Sequence, residues 1–127
     1  MDAKPFDLVI RGGRVVTASE SFDADVAICG ETIVAIGRDL PPGQREIDAR
    51  GRLVMPGGVD PHCHMEQIAP SGLRHADSFE TATRAALAGG TTTVITFAAQ
   101  HVGMSLREVV ADCHARAQRG AMADYAL

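Results

Sequence analysis

Residues 54–67 read Val54-Met55-Pro56-Gly57-Gly58-Val59-Asp60-Pro61-His62-Cys63-His64-Met65-Glu66-Gln67, and this stretch decides the fold. An apolar run breaks at Pro-Gly-Gly, and a β-type run then closes on two histidines one residue apart. In an extended backbone residues i and i+2 share a face, so His62 and His64 project side by side while Cys63 points the other way. Two imidazoles so placed can grip one metal ion. Imidazole nitrogen suits zinc at about 2.0–2.1 Å, and a catalytic site adds a further protein ligand and an open position for water. Taken alone, an HxH also fits two hydrogen-bonded histidines in a turn. The surrounding pattern favours the metal, because the pair ends the first strand of a βα series and active sites of barrel folds sit at the C-terminal ends of strands.

Downstream, strand and helix alternate. Asp77-Ser78-Phe79-Glu80 resembles a capping box, with Asp77 accepting from first-turn amides and Glu80 reaching back. The helix it opens ends at Gly89-Gly90, where a left-handed cap is easy. Thr91 to Ala98 is β-branched and apolar, as in a strand buried on both faces. Ser105-Leu106-Arg107-Glu108 is a second capping box, and Leu106, Val109, Val110, Cys113 and Ala117 fall on one helical face before Gly120. Met122 to Leu127 opens a third strand. The order strand, helix, strand, helix, strand implies an α/β fold with a parallel sheet. A full (β/α)8 barrel takes roughly 250 residues, so the series is expected to be incomplete and the chain truncated.

Upstream, short β-type runs alternate with glycine: Phe6 to Ile10, Arg14 to Thr17, Asp25 to Ile28 and Thr32 to Ile36. These predict a small antiparallel sheet, with two-residue hairpin turns at Gly12-Gly13 and Gly30-Glu31. Pro41-Pro42-Gly43 forms a loop before a further strand pair around Ile47 and Leu53-Val54-Met55. The expected division is 1–55 for this β segment and 56–127 for the βα units.

The bulk properties narrow the partners. Sixteen acidic against 12 basic residues give a net charge of -4, with no basic run and only 4% aromatic residues, which argues against nucleic acid. No apolar run is long enough to span a bilayer, and Met1 to Pro5 lack the layout of a secretory signal, so a cytoplasmic protein without membrane contact is expected. Cys29, Cys63 and Cys113 are far apart without a CxxC, as expected of free thiols. Cys63, pointing away from the histidine face, is expected to pack in the core rather than act as a nucleophile.

Four runs in order carry a family resemblance: Asp7-Leu8-Val9-Ile10-Arg11-Gly12-Gly13, Asp48-Ala49-Arg50-Gly51-Arg52-Leu53-Val54-Met55-Pro56-Gly57-Gly58-Val59-Asp60, His62-Cys63-His64, and Ala88-Gly89-Gly90-Thr91-Thr92-Thr93. Together they resemble the N-terminal portion of hydantoinase- and dihydropyrimidinase-like cyclic amidohydrolases of the amidohydrolase superfamily. The resemblance implies a small β-sandwich segment in 1–55 and the start of a (β/α)8 TIM barrel in 56–127. It implies a binuclear metal site, usually zinc with other divalent metals accepted, in which His62 and His64 ligate one ion. The implied reaction is metal-dependent hydrolysis of a small cyclic amide, opening hydantoin or dihydropyrimidine rings to N-carbamoyl amino acids. Homo-oligomers are implied for full-length relatives.

No catalytic residue is assigned in this chain. The family's bridging carboxylated lysine, later histidines and proton-shuttling aspartate have no counterpart here, since the sole lysine, Lys4, precedes the βα series. The chain is therefore expected to be inactive alone. An allantoinase-like or other amidohydrolase is the alternative enzyme, and a non-catalytic remnant or interaction module the alternative of another class. Where dihydroorotases carry an arginine two positions after the second histidine, this chain has Glu66, which is expected to repel a substrate carboxylate. His64-Met65-Glu66-Gln67 with Ala98-Ala99-Gln100-His101 resembles the hydantoinase branch.

Other residues admit plainer readings. His101 fits a pocket rim or a solvated loop equally well, His114 a surface or packing role within the second helix, and His75 simple exposure. Asp60 and Pro61 are placed to orient His62, although turn formation explains them as well. The resemblance to hydantoinases, with their substrate-gating loops, implies that Met65, Ile68 and Leu73 contact a ring substituent.

Overall fold

A computed structural model of the chain describes residues 5–69 and 71–127; Lys4 lies outside the described residues. The chain divides into two compact units, Met1–Pro56 and Gly57–Leu127.

The first unit is a five-stranded sheet of β1 (Phe6–Val16), β2 (Ser21–Cys29), β3 (Thr32–Gly37), β4 (Gly43–Asp48) and β5 (Leu53–Val54). Its order is β3-β2-β1-β4, with β5 also on β1. The β2–β3 hairpin turns at Gly30, whose φ of 57° is the left-handed conformation expected there. The sheet is mixed rather than antiparallel: β4 and β5 both run parallel to β1 instead of pairing with each other.

Gly12-Gly13 does not make a hairpin. β1 runs straight through it, and between Ile10 and Gly13 the pairing with β2 takes one extra residue, Ile10 facing Val26 and Gly13 facing Ala24. Such a bulge shifts side-chain parity by one, so Ile10 and Val15, of opposite parity in sequence, join one apolar cluster with Val26, Phe22 and Val54. Gly12 takes the left-handed conformation at φ 64°. The bulge is pinned by the buried Asp25, whose carboxylate accepts from the Gly12 amide at 2.8 Å and from the Arg11 guanidinium at 2.9 Å. A glycine pair reads alike in a hairpin and in a bulge; Asp25, on the neighbouring strand, selects the bulge.

The second unit holds β6 (Gly58–Cys63), α1 (Phe79–Ala88), β7 (Thr91–Thr96), α2 (Leu106–Gly120) and β8 (Asp124–Ala126). The strands form a parallel sheet in the order β6-β7-β8. The expected mixed α/β pattern is present; three strands do not close a barrel. Phe79, Val94, Cys113, Ala117 and Met65 form the core, with Cys63 and Tyr125 packed against it. Thr83, fully buried on α1, donates to the Phe79 carbonyl at 2.6 Å and accepts from the Met122 amide at 2.9 Å, tying α1 to the segment that enters β8.

The helix starts refine the expectation. Ser105 and Glu108 make the predicted reciprocal box on α2. On α1 the cap is Ser78 rather than Asp77, and its reciprocal partner is Thr81 rather than Glu80. The shift by one follows from Phe79, which is fully buried at the first helical position and whose amide is taken by the Glu66 carboxylate at 2.8 Å. Of the predicted α2 face, Val109, Cys113 and Ala117 are buried, whereas Leu106 and Val110 stay exposed. No helix among the described residues is long and apolar enough to cross a membrane.

Candidate metal centre

The histidine pair stands at the C-terminal end of β6. Between Asp60 and Cys63 the pairing with β7 slips by one residue, Asp60 facing Val94 and Cys63 facing Thr96. Pro61 offers no amide to the ladder, and the His62 amide turns to the Asp60 carboxylate at 3.0 Å. Asp60 thus shapes the bulge backbone, the turn-forming reading of this residue. Bulges beside active sites re-aim side chains, and here His62 Nε2 and His64 Nε2 come to 3.4 Å of each other.

That separation can be tested against a metal. Two nitrogens bound to one tetrahedral zinc at about 2.0–2.1 Å lie about 3.3–3.4 Å apart, the edge of the tetrahedron. The imidazoles fit two corners of such an ion. They do not make a whole site: among the described residues no group of three or more His, Cys, Asp or Glu side chains is placed to hold a metal.

Two neighbours steady the pair. Phe97, just past β7, stacks on His64 with centroids 4.9 Å apart and planes at 13°, and touches His62 at 4.7 Å. Gln67 Oε1 lies 2.8 Å from His64 Nδ1, and Gln67 Nε2 donates to the Phe97 carbonyl. Cys63 faces the opposite way, as expected, with Sγ 3.4 Å from the Ile95 carbonyl. Burial, then the nearby Asp60 charge, pushes its thiol pKa up, which suits packing and not nucleophilic attack.

Glu66 is engaged by the helix that follows. With φ at 51° it turns its carboxylate onto the α1 N-terminus, at the Phe79 amide, and towards Arg116 at 3.7 Å. Its charge is met by the helix dipole and a guanidinium rather than presented beside the histidines. Met65 is buried in the core, whereas Ile68 and Leu73 are exposed.

The region 45–123, more than half of the chain, matches the family model described as the amidohydrolase family. The chain belongs to that family. This amidohydrolase segment is 47% identical over 123 residues to a D-hydantoinase of Streptomyces coelicolor, covering 92% of the chain and 26% of the relative. It is 45% identical over 126 residues to a dihydropyrimidinase of Rattus norvegicus, covering 94% of the chain and 24% of the relative. A solved D-hydantoinase structure superposes with a TM-score of 0.89 at 43% identity, covering 94% of this chain and 26% of that one. The amidohydrolase chain thus spans about a quarter of the length of the relatives it matches.

The remaining histidines stand apart from the pair's donor atoms. His75 has its ring centroid 6.2 Å from that of His64, with Nδ1 3.4 Å from the His64 carbonyl. His101 lines a cavity of about 270 Å³ together with Gln67, Arg74 and Arg116. His114 pairs with the Tyr125 hydroxyl at 2.9 Å. Phe97 is the site residue that motif reading passes over, and Gln67 falls within a quoted run without being given a role. The one available signal was position: Gln67 is three residues past His64, and Phe97 directly follows the strand beside β6.

Proposed function

We propose that this amidohydrolase segment supplies the first metal-ligating element of a hydrolase that opens hydantoin or dihydropyrimidine rings to N-carbamoyl amino acids. The observation that carries the proposal is the 3.4 Å approach of His62 Nε2 and His64 Nε2 at the C-terminal end of β6. The two imidazoles are assigned to one divalent ion, zinc by the chemistry of the donors, within a binuclear centre. When bound, such ions activate water and polarise the ring carbonyl. This chain's residues hold and orient: His62 and His64 donate, Phe97 backs both rings, and Asp60 shapes the bulge that aims His62. We assign the remaining ligands, the proton-transfer group and the closure of the (β/α)8 barrel to the three-quarters of the relatives' length that the chain does not match. On this reading the 127-residue chain opens no ring by itself.

The test is a hybrid in which residues 1–127 replace the matching quarter of the Streptomyces coelicolor D-hydantoinase. The hybrid is expected to bind zinc and open hydantoin or dihydrouracil, and His62→Ala or His64→Ala to remove both properties. A folded hybrid that keeps its full metal content after either substitution would overturn the assignment.

A further inference from the structure

The contacts of Gln67 fix where a hydrogen sits. The Phe97 carbonyl can only accept, so the Gln67 side-chain nitrogen faces it; the flipped amide would set two oxygens against each other. The amide oxygen then points to His64 Nδ1 at 2.8 Å, and since it too can only accept, Nδ1 carries the hydrogen. In a neutral imidazole that leaves the lone pair on Nε2. Nε2 is the atom facing His62 Nε2 at 3.4 Å.

We propose that Gln67 is a positioning residue: anchored on the Phe97 carbonyl, it holds His64 in the Nδ1–H tautomer and so presents Nε2 as a donor before any metal arrives. Two constraints then act on one ring. Phe97 stacking sets its plane, and Gln67 sets which nitrogen is bare. Metal-ligating histidines commonly donate the other N–H to an acceptor, which fixes tautomer and orientation. Here the acceptor is a neutral amide held by the neighbouring strand's end, 30 residues away in sequence. The inference rests on the metal reading for its consequence, but the tautomer is a property of the metal-free chain.

Long-range ¹⁵N correlation spectra of the metal-free 127-residue chain, recorded at about pH 8 where histidine is ordinarily neutral, report the tautomer directly. The expected result is a protonated Nδ1 and a bare Nε2 on His64. Gln67→Met keeps side-chain length but offers no acceptor; it is expected to populate Nε2–H and to weaken cobalt(II) binding roughly 10-fold or more. Gln67→Glu keeps an acceptor for Nδ1 but sets a carboxylate oxygen against the Phe97 carbonyl, so it is expected to recover the Nδ1–H form only in part. If Gln67→Met lowers only the melting temperature, with tautomer and cobalt affinity unchanged, Gln67 merely ties its loop to β7 and the proposal is overturned. A wild-type chain in the Nε2–H form overturns it as well, whatever its metal binding. The Nδ1–H form without any cobalt binding supports the positioning by Gln67 and counts against the metal reading instead.

Discussion

The Glu66 carboxylate accepts from the Phe79 amide at 2.8 Å, so the residue two places after the second histidine serves the first turn of the helix that follows rather than facing the histidine pair. Three groups converge on this carboxylate: the amide, the α1 dipole and Arg116. Replacing it leaves a buried first-turn residue with an unmet donor. Glu66→Ala is expected to cost about 1–3 kcal/mol, read as a lower urea midpoint. Because the carboxylate is turned away from His62 and His64, cobalt affinity should change far less than in the histidine variants. A large affinity loss with little loss of stability would return Glu66 to the site itself.

Asp25 makes the first unit sensitive to acid. Burial alone raises its pKa, but the Gly12 amide, the Arg11 guanidinium and the Leu40 amide together outweigh burial and hold it below the usual carboxylate value. A depressed folded pKa means that the contribution to stability is full above the unfolded-state pKa, near about 4, and drains away as pH falls through the folded value. Asp25→Asn should therefore flatten the loss of first-unit stability below about pH 4. Hydrogen exchange of β1 and β2 amides between neutral and acid pH checks this, and an unchanged acid profile would refute it.

The βαβαβ order, the α2 box and the side-by-side histidines were legible because each rests on local rules: period, cap and strand parity. What was not legible depends on partners distant in sequence. Gly12-Gly13 reads as a turn until Asp25, 13 residues from Gly12, claims its amide. Asp77 and Ser78 are both good caps, and the choice falls to Ser78 because Glu66 already serves Phe79. The role of Glu66 follows from its left-handed backbone, which no spacing rule anticipates. Gln67 meets Phe97 only once β6 and β7 are paired.

Gly13 tests the bulge from its other side. A Cβ there would sit 2.5 Å from Val54 Cγ2 and 3.0 Å from Ala49 Cβ. Both neighbours are held by their own contacts with β1, Val54 by pairing opposite Val15 and Ala49 by its amide on the Arg11 carbonyl at 2.8 Å. Gly13→Ala should therefore overpack the sheet and cost about 1–3 kcal/mol. Ala49→Gly in the same chain removes the softer of the two clashes and should recover only part of the loss. An alanine variant as stable as the parent would show that β5 is free to move away from β1.

Phe97 separates donor identity from donor placement. Phe97→Ala leaves both imidazoles and the Phe97 carbonyl contact of Gln67 in place, since that contact is to backbone. It removes the stacked face under His64 and the tilted face beside His62, so both rings gain rotamers that metal binding must then freeze. Immobilising a side chain costs about 0.5–1.5 kcal/mol, and two rings together predict a cobalt affinity lower by roughly 5- to 150-fold. The His64 tautomer should stay Nδ1–H, because its acceptor is untouched. Calorimetry in the Phe97→Ala chain should show a more unfavourable entropy of binding; a loss carried by enthalpy instead would mean that the rings had moved and that Phe97 sets the 3.4 Å separation itself.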